Sequence, residues 1–335
     1  MENRRMGRHG LEVPALCLGT MTFGLQVDET GSRAILDEAV ERGLIYLDTS
    51  DAYPLGGTTD TAGTTEEIIG RWMKEKKNRD DLLITTKCFA PTRSGPNSWG
   101  LARTHIMDAI EGSLRRLGTD HIDLYLAHMD DPLTPLEETL RAFEDLTTAG
   151  KVRYVGCSNY STWRLGKALR AADSLGISGY MAVQSRYNLL YREIETELLP
   201  LCLDEGIGLM AYNPLAGGFL SGKYRTGQDP VAGTRFTLGG AATIYQDRYW
   251  QESQFAAVAQ LKSEVERRGL DLVSVAVAWV LAQPGVSTAI IGASRPEQLA
   301  ANLAALEVIL DDELRQICDD TWWSLPRRPV APGYR

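Results

Sequence analysis

Short apolar runs alternate with amphipathic stretches along almost the whole chain, and that alternation predicts an architecture. Eight runs read as strands, each a handful of apolar residues bounded by turn formers: 16-LCLGTM, 45-IYLDTS, 82-LLITTK, 123-DLYLAH, 152-VRYVGCSN, 180-YMAVQSRYN, 208-GLMAYNP and 287-STAIIG. Between them the apolar positions return at helical spacing, as in 30-TGSRAILDEAVERG, 64-TTEEIIGRWMKEK, 103-RTHIMDAIEGSLRRLG, 136-LEETLRAFEDLTTAG, 162-TWRLGKALRAADSLG and 195-ETELLPLCLDEG. Two helical stretches, 253-SQFAAVAQLKSEVERRG and 271-DLVSVAVAWVLAQPG, follow the seventh strand, and 296-PEQLAANLAAL follows the eighth. Glycines at 43, 118, 150, 176 and 269 close several of these helices, which suits a left-handed C-terminal cap.

Strand followed by helix, repeated eight times, implies parallel strands joined by helical crossovers. The short apolar strands fit burial on both faces. The expectation is an α/β fold, a (β/α)8 TIM barrel spanning residues 1–335 as one domain. An N-terminal β-hairpin, a long loop after strand seven and a C-terminal helical and loop extension complete it. Three segments break the rhythm: 54–63, the Gly-rich excursion 215–250, and the tail after Leu306 that ends 322-WWSLPRRPVAPGYR. Long loops of this kind usually carry function or disorder.

Composition narrows the classes. The chain is 44% hydrophobic and 24% charged, with a net charge of −9 and no long Lys/Arg tract. Nucleic acid is therefore excluded as a main partner, since neutralising phosphates needs a basic surface. A small anionic ligand stays open, because a few local cations suffice. No apolar run approaches the roughly 18 residues a transmembrane helix needs, so no membrane partner is expected. The opening MENRRMGRHGLEVP lacks the apolar core of a secretory signal. The five cysteines (17, 88, 157, 202 and 318) form no CxxC and sit mostly in apolar runs. This pattern suits buried thiols and a cytoplasmic setting.

Several familiar motifs fail on their context. Segment 206-GIGLMA follows a helix and opens a strand, the reverse of a dinucleotide-binding turn. Segment 217-GGFLSGKY has Walker A spacing, but Tyr224 stands where Ser or Thr should bind magnesium. The four histidines, His9, His105, His121 and His128, form no metal-binding pattern, so no metal is expected. His105 and His121 read as surface residues. The pair Asp130 and Asp131, followed by Pro132, reads as turn and cap chemistry.

What survives is a set of polar groups at strand ends. Residues ending the strands of such a barrel line one rim, where active sites sit. Asp48 ends the second strand, Tyr53 lies just beyond it, Lys87 ends the third and His128 the fourth. Singly, each has a bland reading: a cap, a packing ring, a snorkelling cation, a satisfied rim histidine. Together, on consecutive strands, they form a proton-transfer set. A phenol is a poor acid at neutral pH unless its anion is stabilised. An ammonium such as Lys87 supplies that stabilisation, Asp48 holds the ammonium, and His128 can bond the reacting oxygen. Such a site protonates an oxygen while a nucleophile such as hydride adds to the carbon.

At these residues the sequence resembles the aldo-keto reductase superfamily. The matching segments are 19-GTMTFG, 48-DTSDAY, 84-ITTK, 128-HMDD, 155-VGCSNY, 211-AYNPLAGGFLSGKY and 290-IIGASRPEQLAANL, in family order over nearly the whole chain. The 215–250 and C-terminal pieces resemble the branch that includes potassium-channel β-subunits and bacterial carbonyl reductases. The resemblance implies NADPH as cofactor and Asp48, Tyr53, Lys87 and His128 as the catalytic four. It places Thr20 and Met21 on the nicotinamide side of the cleft. Ser158, Asn159 and Gln184 would hold the carboxamide, and Tyr212 would stack on the ring. Pro214, Leu215 and Gly217 would run along the pyrophosphate, with Lys223 and Arg235 meeting its charge. Gly292, Ser294, Gln298 and Asn302 would hold the adenosine end. Ser294 and Arg295, at the start of a helix, are the anion site that favours the 2′-phosphate. Ala301 departs from the acid that often contacts adenine in this family, and the 54–63 loop is longer than usual.

The function this implies is reduction of an aldehyde or ketone, reversible toward alcohol oxidation, with a small carbonyl or alcohol as partner. The alternative is a channel-β-like regulatory subunit that holds the cofactor as a redox sensor. Aromatic rings at Phe23, Phe89, Trp99, Trp322 and Trp323 are candidates for the substrate-pocket wall.

Overall fold

In the computed structural model, which describes residues 1–327, a two-stranded antiparallel hairpin of β1 (Asn3–Arg5) and β2 (Glu12–Pro14) comes first. Then β3 (Leu16–Gly19), α1 (Glu29–Glu41), β4 (Tyr46–Asp48), α2 (Thr64–Lys76), β5 (Leu83–Cys88) and α3 (Arg103–Leu117) follow in strict alternation. The pattern continues with β6 (Ile122–Ala127), α4 (Leu136–Thr148), β7 (Val152–Ser158), α5 (Thr162–Leu175), β8 (Ala182–Arg186), α6 (Leu198–Glu205) and β9 (Gly208–Tyr212). Three helices, α7 (Ala241–Tyr249), α8 (Glu252–Arg267) and α9 (Leu272–Leu281), precede β10 (Val286–Gly292), and α10 (Gln298–Leu303) and α11 (Asp312–Trp323) end the fold. Strands β3 to β10 pair in parallel and close into a barrel of eight, with β10 beside β3. The expected (β/α)8 architecture and its hairpin are both present.

The hairpin has a job that the sequence did not disclose. Met6 and Val13 are fully buried in one apolar cluster with Cys17, Tyr46, Leu124, Leu126 and Met210 of the barrel interior. Arg4 donates to the Leu281 carbonyl at 2.7 Å, tying the hairpin to the wall. The lower end of the barrel is thus plugged. Polar chemistry is left to the upper rim, as the strand direction requires.

Some local expectations need correction. Helix α6 begins at Leu198, because 193–195 turns as a separate 3-10 segment. The 215–250 excursion is not a plain loop: it contains α7 and is pinned by aromatic packing. Phe236 and Trp250 lie 4.8 Å apart between ring centroids, and Phe219 and Phe255 4.9 Å. His105 is buried, not surface, with only 2% of its area exposed. The apolar face of α3 includes it. His121 is partly covered and pairs with Asp120 at 2.7 Å. Asp131 does act as a turn former, accepting from the Leu101 and Leu133 amides, while Asp130 pairs with Arg164. All five cysteines are free and buried. Among the described residues no helix is long and apolar enough to cross a membrane. The expected tail helix is α11, and 328–335 lies outside the described residues.

Candidate active site

The strand ends bring four side chains together. The Lys87 ammonium, fully buried, donates to Asp48 Oδ2 at 2.7 Å, to the Thr49 carbonyl at 2.8 Å and to Tyr53 Oη at 3.4 Å. An ammonium has three donors, so all of them are aimed. The other Asp48 oxygen accepts from Gln184 Nε2 at 2.7 Å. Both carboxylate oxygens are thereby engaged, which satisfies a buried charge pair that would otherwise be costly. His128 stands edge-on to Tyr53, with centroids 5.9 Å apart and planes at 76°. Its Nδ1 lies 3.2 Å from Ser50 Oγ.

Burial, then the Lys87 charge, pushes the His128 pKa down from 6.5 to about 3. The ring is neutral at ordinary pH and serves as a hydrogen-bond partner. A stability consequence follows. Unfolded chains take up this proton near 6.5, whereas the folded chain waits until about 3. As pH falls through that window the unfolded state binds more protons, so the residue progressively destabilises the fold. His128→Gln is therefore expected to lose less stability than the wild type between pH 6.5 and 3 in urea titrations. Parallel curves for the two proteins would contradict this.

A cleft of about 580 Å³ runs from these groups across the upper rim to α10. Tyr53, Asp48 and His128 line its inner end, whereas Lys87 is sealed beneath them. Along it lie Met21, Ser158, Asn159, Gln184 and Tyr212, then Pro214, Leu215, Gly217, Lys223 and Arg235, and finally Gly292, Ser294, Gln298 and Asn302. One expected residue is missing from the lining: Thr20 is fully buried, and its hydroxyl donates to the Asp48 carbonyl at 2.9 Å. It braces the strand end.

The aromatic candidates are placed elsewhere. Phe23 is fully buried in the core, and Phe89 meets Trp99 edge-on at 6.0 Å outside the cleft lining. Trp322 and Trp323 sit on α11, which packs against α8, with Arg327 over both rings. Neither lines the cleft.

The cleft walls fit an extended dinucleotide. At the inner end, Gln184 Oε1 remains available, since its amide group is given to Asp48. Asn159 is largely committed: its Nδ2 donates to the His128 carbonyl and Ser158 Oγ, and its Oδ1 accepts from Tyr212 at 2.9 Å. Those bonds fix the Tyr212 ring. Gly217 has a φ of 70°, and a Cβ there would fall 2.6 Å from the Tyr245 ring, so bare backbone faces the middle of the cleft. At the far end Asn302 Oδ1 is buried with no partner among the described residues, an acceptor awaiting a donor. The helix-start reading of the anion site needs revision. Helix α10 opens at Gln298, has six residues, and its Gln298 Oε1 already takes the Ser294 amide. Two cationic side chains, Arg295 and Arg248 of α7, line the cleft.

Sequence reasoning missed Thr22, Gln26, Tyr245 and Arg248 in the lining, and Ser50 behind His128. Tyr245 and Arg248 belong to α7, hidden inside a Gly-rich segment. Ser50 lies within 48-DTSDAY, so its closeness to the four was the only available signal. Among the described residues no cluster able to hold a metal occurs.

Comparison with known proteins places this geometry. The Aldo/keto reductase family matches residues 15–322. The chain is 39% identical to an uncharacterised oxidoreductase, YrpG, of Bacillus subtilis, over 96% of this chain and 95% of that protein. It is 35% identical to a probable voltage-gated potassium channel β subunit of Arabidopsis thaliana, over 99% of each. It is also 34% identical to protein tas of Escherichia coli, over 94% of this chain and 95% of that protein.

Proposed function

Because the chain belongs to the aldo/keto reductase family, with an NAD(P)-dependent oxidoreductase role, we propose that it is an NADPH-dependent reductase of aldehydes or ketones. The reaction is reversible toward alcohol oxidation, and one barrel domain carries it. The observation that supports this most is the buried Asp48–Lys87 pair whose third ammonium donor reaches the Tyr53 oxygen at 3.4 Å.

A reduced nicotinamide, when bound, would supply the hydride. Tyr53 gives its phenolic proton to the substrate oxygen as negative charge develops there. Lys87 stabilises the phenolate left behind, and Asp48 keeps the ammonium charged and pointed. His128, neutral, bonds the same oxygen and orients the carbonyl. Gln184 ties the pair to the nicotinamide end through its 2.7 Å bond to Asp48. Ser158 and Gln184 would hold the carboxamide, Tyr212 would back the ring, and Lys223 and Arg235 would meet the pyrophosphate charge.

The test is carbonyl-dependent oxidation of NADPH, followed by loss of its absorbance with para-nitrobenzaldehyde. Turnover supports the reading; NADPH that binds yet stays reduced across a panel of aldehydes and ketones overturns it. Preference for the 2′-phosphate is tested separately. Arg295→Ala is expected to weaken NADPH roughly 10-fold, as loss of one exposed charged hydrogen bond would, and to leave NADH unchanged. Equal losses for both cofactors would remove Arg295 from that role.

Similarity to the Arabidopsis channel β subunit favours a second reading, a regulatory subunit that holds the cofactor as a redox sensor. Co-purification with a membrane partner separates it from the first.

A further inference from the structure

We propose that Ser50, oriented by Asp51, is a positioning residue that fixes His128 as the tautomer with its proton on Nε2. This deepens the reductase reading and rests on it for its functional meaning.

Ser50 Oγ sits at the junction of three groups. It accepts from the Ala52 amide at 3.2 Å, lies 3.3 Å from Asp51 Oδ1 and 3.2 Å from His128 Nδ1. A hydroxyl has one proton and two lone pairs, so the three contacts use its full capacity only in a definite sense. With the amide occupying one lone pair, the proton goes either to Asp51 or to His128. If it goes to Asp51, Ser50 accepts from Nδ1–H and leaves bare Nε2 on the cleft side. If it goes to His128, Asp51 must itself donate to Ser50, and Nε2 carries the proton.

Asp51 decides between them. It is fully buried, and its Oδ2 has no hydrogen-bond partner among the described residues. An ionised carboxylate there would keep most of its acceptor sites dry, at a cost of several kcal/mol. The nearby cations are already committed, Lys87 to Asp48 and Arg116 to Glu66, both at 2.7 Å. Burial, with the Glu66 charge next, pushes the Asp51 carboxyl well above its ordinary range. An ionised Asp51 would take the Ser50 proton on Oδ1 at 3.3 Å; protonated on that oxygen it donates to Ser50 instead, Ser50 then donates to Nδ1, and Nε2–H faces the cleft as a donor. A donor is what a carbonyl oxygen gathering negative charge requires. The opposite tautomer would present a lone pair to that oxygen and repel it.

The experiment labels histidine selectively with a nitrogen isotope in the full chain and reads the imidazole nitrogen shifts. With only four histidines, the His128 signals are identified by their loss in His128→Gln. The wild type is expected to show His128 protonated on Nε2 alone. Ser50→Ala is expected to mix the tautomers and lower kcat on the order of 10-fold, with the KM for NADPH unchanged. Ser50→Thr, which keeps the hydroxyl, should restore both. A wild-type ring protonated on Nδ1, or an Nε2–H tautomer that survives Ser50→Ala, overturns the proposal. The shifts are read without turnover. A wild type with the expected tautomer and no carbonyl reduction would sink the reductase reading alone.

Discussion

Tyr53→Phe is expected to lower kcat for carbonyl reduction by on the order of 100-fold or more, the usual worth of a positioned proton donor. The phenylalanine keeps the ring, its edge-on contact with His128 and its packing; only the oxygen is lost. NADPH affinity should therefore stay as it is, and the loss should fall on kcat. Steady-state kinetics with para-nitrobenzaldehyde, beside a fluorescence titration of NADPH, reads the two separately. A variant that turns over like the wild type would move the proton donor elsewhere, to His128 as the other group at the reacting end.

The second large effect belongs to Lys87, which touches neither bulk water nor the cleft. Lys87→Met removes the cation from a fully buried pair and leaves the Asp48 carboxylate with Gln184 as its remaining side-chain partner. Breaking one side of a buried pair costs about 3–5 kcal/mol. Urea unfolding should show a loss of that order. Activity should fall on the order of 100-fold or more, because the phenolate loses its stabilising ammonium. The two readouts distinguish its roles. A stable but inactive variant would place Lys87 in chemistry alone, and an unstable but active one in structure alone.

Much of this was legible in the sequence, and the reason is periodicity. Parallel strands buried on both faces leave short apolar runs, and the polar residue that ends each run lies on the rim. Asp48, Lys87 and His128 were visible that way. Sequence patterns carry direction along a strand well, but they carry burial across helices poorly. His105 reads as a polar residue on a helix, yet its face turns inward. Thr20 lies one residue past a strand end, and a turn of the backbone points its hydroxyl at Asp48 rather than the cleft. Trp322 and Trp323 suggested a pocket wall because loops and the tail build such walls in this fold; they lie instead on α11, which packs against α8, and neither lines the cleft. Helix α7 was hidden because glycines precede it and the segment is held by ring contacts that no local pattern shows, Phe236 against Trp250 across the helix and Phe219 against Phe255 of α8. The role of Asp51 was invisible for a different reason. It depends on which charges its neighbours have already claimed, and that is a property of three dimensions.

The most direct test of the central claim is a single-turnover experiment with NADPH carrying deuterium at the transferable position. The enzyme is mixed in excess with that cofactor and para-nitrobenzaldehyde. The account predicts that nicotinamide absorbance disappears as alcohol appears in equal amount, with the deuterium on the carbinol carbon. Alcohol without deuterium, or bound cofactor that stays reduced, would contradict it.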